Sequence, residues 1–223
     1  MRRSGRATDL PPELNAATIG AGAAQLGVAL DDVQLGQLAG YARLLARWNA
    51  THNLTAIRDV EDMLTHHLLD SLALVPQVAR AAPGAAPTVL DVGSGGGLPG
   101  IVLAVALPQA RLTLVDAVQK KCAFLTQARL ELRLGNVDVV HARVEAMRGP
   151  LFDVIVSRAL ATLEQFVGWT RHLLAPGGCW LAMKGRVPTD ELAALPADVR
   201  PTVVPLAVPG LDEERHLIEM RKA

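Results

Sequence analysis

Gly93, Gly95, Gly96, Gly97 and Gly100 crowd into the stretch VLDVGSGGGLPGI, Val89 to Ile101, with Asp91 ahead of them and Pro99 near the end. A backbone so free of Cβ atoms lets a ligand lie directly against the main chain. Gly95 to Gly100 satisfies G-x-G-x-x-G literally, and Asp116 follows about twenty positions on, as a ribose-binding acid would in a dinucleotide site. The literal match nevertheless starts two residues late, because the apolar run ends at Val92 and Gly93-Ser94 comes first. Asp91-Val92-Gly93-Ser94-Gly95-Gly96-Gly97 is the better frame, with an acid inside the strand end and glycines at alternate positions.

That frame suits a nucleoside without a pyrophosphate, namely S-adenosylmethionine. The glycines would pass under its methionyl and ribose groups, and Pro99 is tolerated at the start of the helix that follows. Asp116 would accept hydrogen bonds from both ribose hydroxyls, since both carboxylate oxygens are acceptors; the plainer reading is a cap for the next helix. Two further stretches could complete a nucleoside pocket. His141-Ala142-Arg143-Val144-Glu145 offers backbone groups and an acid to an adenine edge, and Ser157-Arg158-Ala159-Leu160 would stand beside the methyl group.

The elements that must position these residues change character near residue 88. Before it, Leu35, Leu38, Ala42, Leu45 and Ala46 recur at helical spacing after Asp31 and Asp32, which suit an N-cap and first turn. A second helix is predicted from Asp59 through Leu64, Leu68, Leu72 and Val75, ending at Pro76. Trp48 to Thr55 is read as the loop between them, and Arg80 to Pro87 as a connector. From Thr88 onward short apolar runs alternate with helical ones. Strands are predicted at Thr88–Val92, Leu112–Asp116, Val137–His141, Phe152–Ser157 and Cys179–Met183, and helices at Pro99–Leu107, Val118–Leu134 and Thr162–Leu174.

Such alternation implies an α/β fold, a mostly parallel sheet with helices on both faces and its ligand at the carboxyl ends of the strands, where strand order reverses. Leu174-Ala175-Pro176-Gly177-Gly178 is read as a turn before the fifth strand. Val203–Val208 and His216–Lys222, joined through Pro209-Gly210-Leu211-Asp212, predict an antiparallel C-terminal strand pair. The division expected is an N-terminal extension with a first helix over 1–30, a helical cap over 31–86 and the sheet domain over 87–223, packed as one unit.

A chain of 223 residues, half of them hydrophobic, can bury a full core. No segment has the uncharged apolar run of a membrane span, and the basic start MRRSGRATDLPPE lacks the apolar run of a secretory signal, so a cytoplasmic place is expected. Cys122 and Cys179 have neither the number nor the spacing of a disulfide framework or a zinc site; two reduced thiols and no metal are expected. Net charge is zero at pH 7, which offers a polyanion no global attraction. Arginine far outnumbers lysine, however, and Arg2, Arg3, Arg6, Arg43, Arg47 and Arg58 precede the glycine loop, so a local basic face remains open.

Several stretches resemble the bacterial 16S ribosomal RNA guanine-N7 methyltransferases, the glucose-inhibited division protein B family. They are LARWNATHNLT (Leu45–Thr55), HLLDS (His67–Ser71), DVGSGGGLPG (Asp91–Gly100), LVDAVQKK (Leu114–Lys121), ARVE (Ala142–Glu145), SRALATL (Ser157–Leu163) and MKG (Met183–Gly185). The resemblance runs from about Asp32 to Glu219, and its most specific parts are GLPG and the pair NLT with HLLDS. Ala117 stands where the family often has serine, and the basic N-terminal segment has no assigned counterpart. The resemblance implies a class I S-adenosylmethionine-dependent methyltransferase with a Rossmann-like sheet, acting on small-subunit (16S) ribosomal RNA, free or within a particle, as a monomer. It carries Gly93, Leu98, Val144, Glu145 and Arg158 onto the family's cofactor positions; Asp91, Gly95, Gly97 and Asp116 join them on the logic of the loop.

The residue chemistry agrees. Neither cysteine is placed as the nucleophile of a pyrimidine C5 methyltransferase, and Ser157-Arg158-Ala159-Leu160 stands where exocyclic-amine methyltransferases carry an Asp/Asn-Pro-Pro-aromatic turn. Guanine N7 has an in-plane lone pair and loses no proton on methylation, so no general base is expected and Arg158 is assigned a positioning part. Arg43, Arg47, Asn53, Arg58, Lys184 and Arg186 are the candidate RNA contacts, while Trp48, His66 and His67 are read as packing. The alternatives are a methyltransferase of another RNA or of a small molecule, an NAD-dependent oxidoreductase and a non-catalytic RNA-binding module.

Overall fold

The computed structural model describes residues 14–52, 54–55, 60–83 and 86–223. Arg2, Arg3, Arg6, Asn53 and Arg58 lie outside the described residues. Among the described residues the sheet has seven strands: β1 (Thr88–Val92), β2 (Arg111–Asp116), β3 (Val137–His141), β4 (Phe152–Arg158), β5 (Leu174–Lys184), β6 (Val199–Pro205) and β7 (His216–Lys222). Their order is β3-β2-β1-β4-β5-β7-β6; β1 to β5 run parallel, and β7 pairs antiparallel with both β5 and β6. Strand order reverses between β1 and β4, where the carboxyl ends diverge and leave a crevice.

Strand periodicity sorts the core into two layers. Val89, Leu114, Val156 and Leu181 face one side, packed against α6 (Gly100–Ala106), α7 (Gln119–Glu131) and the helical cap. Leu90, Val115, Ile155 and Trp180 face the other, under Leu163, Phe166 and Val167 of α8 (Leu163–Thr170). One apolar cluster runs without a break from Leu14 and Leu38 of the cap to Leu217 of β7, so cap and sheet share a core.

The cap comprises α1 (Ala16–Gln25), α2 (Asp32–His52), α3 (Val60–Met63), the π-helical stretch Leu64–Leu69, α4 (Asp70–Leu72) and α5 (Val75–Ala81). The signal read before α2 is realised as a reciprocal cap: Asp31 Oδ1 accepts from the Gln34 amide at 2.8 Å and Gln34 Oε1 from the Asp31 amide at 2.9 Å. Asn15 caps α1 in the same way with Thr18.

Several boundaries differ from the sequence reading: Arg80 and Ala81, read as connector, end α5, and the helix read over Thr162–Leu174 stops at Thr170, with Leu174 already in β5. Trp48 to His52 is the end of α2 rather than a loop, because Trp48 docks edge-on against Phe124 of α7, centroids 5.5 Å apart, and that tertiary packing carries the helix on. The second helical run breaks at Ala73-Leu74, and Pro76 enters the first turn of α5, where its missing N–H leaves no bond unmade. Ala175 to Gly178 is a bulge inside β5, since Phe152 pairs with Leu174 and Val154 with Cys179. β6 lies at Val199–Pro205, earlier than the apolar run Val203–Val208, because its register is set by β7 and Pro201 is tolerated on a sheet edge.

Candidate active site

The glycine loop leaves β1 at the reversal point and is tied down atom by atom. The amides of Gly93 and Ser94 donate to the Val115 carbonyl at 2.9 and 3.1 Å, Ser94 Oγ donates to the Asp91 carbonyl at 2.9 Å, and the Gly95 amide donates to Asp116 Oδ2 at 3.0 Å. Gly93 has φ +69°, a region that penalises a Cβ, and a side chain there would collide with Leu160. Gly96 presents its carbonyl to the hydroxyl of Tyr41 on α2.

Two cavities meet at Gly93. The smaller, about 230 Å³, is walled by Val92, Asp116, Ala117, Ala142 to Glu145, Leu160 and Trp169. The larger, about 510 Å³, is walled by the loop, Leu98, Lys121, Arg158, Met183 to Gly185 and, from the cap, Leu54, Thr55, His66, His67 and Asp70, with Arg215 closing it from the β6–β7 connection. Asp116 stands in the smaller cavity, nearly buried; its Oδ1 also accepts from the Val118 amide at 2.8 Å and its Oδ2 lies 3.6 Å from Lys121 Nζ. The carboxylate thus braces the start of α7 while facing the cavity, so the two sequence readings of it are compatible.

Charge in the larger cavity is organised around Asp70. Its Oδ2 is 3.1 Å from one guanidinium nitrogen of Arg158, which also donates to the His66 carbonyl at 2.8 Å, and its Oδ1 is 3.3 Å from Arg215 Nε. Burial raises the Asp70 carboxyl above the ordinary value against the pull of the two guanidiniums. His67 is buried, shares a hydrogen bond of 3.0 Å with Thr55 Oγ1, and burial together with Arg158 lowers it to about 4, so it is neutral at pH 7. His66 lies 3.6 Å from Glu213. Ala159, next to Arg158, adopts φ +54°, a strained conformation for a residue with a Cβ, at the wall of the larger cavity.

The structure therefore brings Gly93, Gly95, Leu98, Asp116, Val144, Glu145 and Arg158 to the two cavities. It places Asp91 and Gly97 elsewhere. Asp91 is fully buried and lines neither cavity; its Oδ2 accepts from the Gly100 amide at 3.0 Å, its Oδ1 has no hydrogen-bond partner, and burial raises it to about 7. A Cβ on Gly97 would point into the core, 2.6 Å from Ile101 and 3.1 Å from Leu125, so this glycine serves close packing behind the loop.

Lys184 is engaged rather than free, with Nζ 2.8 and 3.0 Å from the Glu191 carboxylate of α9 (Thr189–Ala193) and 3.1 Å from the Ala161 carbonyl. Arg43 and Arg47 lie exposed on α2 and line neither cavity, and Arg47 faces Glu131 at 3.4 Å; Arg186 is exposed two residues beyond β5. Trp48 packs on Phe124, and Cys122 and Cys179 are both buried free thiols.

Sequence reasoning gave no role to Tyr41, Trp169 or Arg215, and held Lys121 only as the end of LVDAVQKK. HLLDS already held His67 and Asp70, and Ser157-Arg158-Ala159-Leu160 held Leu160, but nothing local marked Tyr41, Trp169 or Arg215.

The comparisons with known proteins agree with this architecture. The model of the family described as GidB, rRNA small subunit methyltransferase G, matches residues 34–218. Proteins named ribosomal RNA small subunit methyltransferase G from Burkholderia thailandensis and Burkholderia mallei are 57% and 56% identical over 210 residues, covering 92% of this chain and 90% of theirs. Among solved structures, a ribosomal protein L11 methylase from Lactobacillus delbrueckii subsp. bulgaricus superposes with a TM-score of 0.53 at 17% identity, covering 69% of this chain and 79% of that one. A SAM-dependent methyltransferase from Aquifex aeolicus gives 0.52 at 18%, covering 69% and 90%. At such identities the likeness shows the fold, which is that of the class I S-adenosylmethionine-dependent methyltransferases.

Proposed function

The chain belongs to the rRNA small subunit methyltransferase G family, and from that premise we propose that it transfers a methyl group from S-adenosylmethionine to N7 of a guanine in small-subunit 16S ribosomal RNA. The observation that carries the reading is the junction of the two cavities at Gly93: a carboxylate suited to ribose stands in one, a cationic acceptor chamber forms the other, and the wall between them lacks a Cβ.

The donor set fits this cofactor. Asp116 would accept the ribose hydroxyls, Val144 and Glu145 would meet the adenine edge, and Gly93, Gly95 and Leu98 would lie along the methionyl group, all of them lining the two cavities. The bound cofactor supplies an electrophilic methyl carbon on a sulfonium sulfur. Guanine N7, with its in-plane lone pair, would bond to that carbon as the carbon–sulfur bond breaks, so positive charge would pass to the base and no proton would leave. A base is therefore not needed, and neutral His67, held by Thr55, does not act as one. The protein's part is alignment of the reacting atoms. Arg158 is a positioning residue whose guanidinium is already oriented by Asp70 and the His66 carbonyl.

The RNA is met by the cavity mouth together with Arg186, Arg43 and Arg47, and the protein acts as a cytoplasmic monomer; no helix among the described residues is long and apolar enough to cross a membrane. The test is incubation with methyl-labelled S-adenosylmethionine and either total RNA or small ribosomal subunits lacking the modification. Label at guanine N7 of the small-subunit RNA is expected. Label on another base, or only on small molecules, would defeat the reading.

A further inference from the structure

Tyr41 is the single tyrosine of the chain, and it is fully buried at the middle of α2. Its hydroxyl crosses from the helical cap to donate a hydrogen bond to the Gly96 carbonyl. Burial holds its pKa above the ordinary phenol value, so the group stays a donor at every working pH. The cap also packs against Gly96: a Cβ built there would lie 3.2 Å from Leu45 Cδ1, 3.4 Å from Thr55 Cγ2 and 3.9 Å from Leu54 Cβ. Gly96 also lines the larger cavity. Gly93, Ser94 and Gly95, by contrast, are tied to the sheet through Val115 and Asp116.

The geometry points to Tyr41 as a positioning residue of the cofactor loop, through which the helical cap sets the conformation that receives the methionyl end of the nucleoside. A core aromatic needs no hydroxyl; phenylalanine would fill the same volume. The hydroxyl is explained by what it holds, a peptide group at the cavity wall in a loop rich in glycine, whose backbone has the most conformational freedom to lose. The cap thereby becomes part of the cofactor site rather than a cover for the sheet alone.

This inference rests on the reading of the loop as an S-adenosylmethionine site, and the experiment separates the two. Titration of the wild-type chain with S-adenosylmethionine in a calorimeter comes first: absence of binding there defeats that reading and this one with it. Given wild-type binding, Tyr41→Phe should raise the Kd and the KM for S-adenosylmethionine by about fivefold to tenfold, the range of one neutral hydrogen bond, with kcat little changed. A lowered Tm with unchanged Kd and KM would show a packing residue and overturn the proposal. A measurement on the unmutated sequence keeps the test decisive if the variant does not fold. Because the chain has one tyrosine, 3-fluorotyrosine labelling yields one fluorine resonance, which should shift on saturation with S-adenosylmethionine. An unmoved resonance under conditions where calorimetry registers binding would overturn the assignment.

Discussion

Asp91→Asn is expected to stabilise the protein in a pH-dependent way. Asp91 is 0% exposed, and desolvation, with a smaller push from Asp116, raises its carboxyl from 3.8 to about 7 against the opposing hydrogen bond from Gly100. A carboxyl whose folded pKa lies above its unfolded value binds more protons folded than unfolded between the two, so stability falls as pH rises through that window. Below pH 3.8 both states are protonated and the group has no effect; from pH 3.8 to about 7 its penalty grows, and above 7 it is complete. At about 1.36 kcal/mol per pH unit, the interval corresponds to roughly 4 kcal/mol.

Asparagine reproduces the neutral acid: its Oδ1 can take the Gly100 amide that Asp91 Oδ2 now accepts at 3.0 Å. Its amide then stands where Asp91 Oδ1 has no partner, at a cost that does not vary with pH. The assay is equilibrium urea unfolding of both proteins at intervals from pH 4 to pH 8.5. The difference in unfolding free energy removes every other titrating group to first order. It should move in favour of the variant by about 4 kcal/mol between pH 4 and pH 8, with most of the change below pH 7. A difference that stays flat with pH would refute the reasoning, whatever its sign.

Other substitutions separate the neighbouring roles. Gly93→Val should abolish S-adenosylmethionine binding in calorimetry, because the new side chain collides with Leu160 between the two cavities, whereas Gly97→Val should lower Tm sharply through Ile101 and Leu125; equal behaviour of the two would contradict the placement. Asp116→Ala should weaken cofactor binding by roughly 1.5–3 kcal/mol, the range for a hydrogen bond to a charged group, and unchanged affinity would leave it as a brace of α7 alone. Replacing Arg43, Arg47 and Arg186 with glutamine should keep cofactor affinity but flatten the salt dependence of RNA binding by about 0.7–0.9 for each phosphate no longer neutralised; an unchanged slope moves the RNA elsewhere on the surface. Lys184→Gln should lower Tm by breaking the Glu191 pair and leave that slope as it was, and a flattened slope would return this lysine to the RNA.

What the sequence determines by itself is what depends on neighbours within a few residues. β1, β3 and β7 lie where alternation and β-branched residues put them, and the change of period near residue 88 separates cap from sheet. The carboxyl-end position of Gly93, Asp116, Val144 and Arg158 follows from strand ends alone, because a parallel α/β sheet gathers those ends on one edge. Glycine spacing likewise announces a nucleoside loop.

Spacing cannot say which way each glycine faces. Gly93 opens on the cavities and Gly97 on the core because the chain turns between them, and only Leu160, Ile101 and Leu125, brought from other elements, distinguish the two. Long-range partners decide the rest. Tyr41 meets Gly96 across 55 positions and Arg158 meets Asp70 across 88. Lys184 read as a free cation until α9 folded back with Glu191, and Trp48 read as loop until Phe124 received it. In each case two side chains of ordinary local context acquire their role from burial and distance, quantities that exist only once the sheet and the cap have packed on one core.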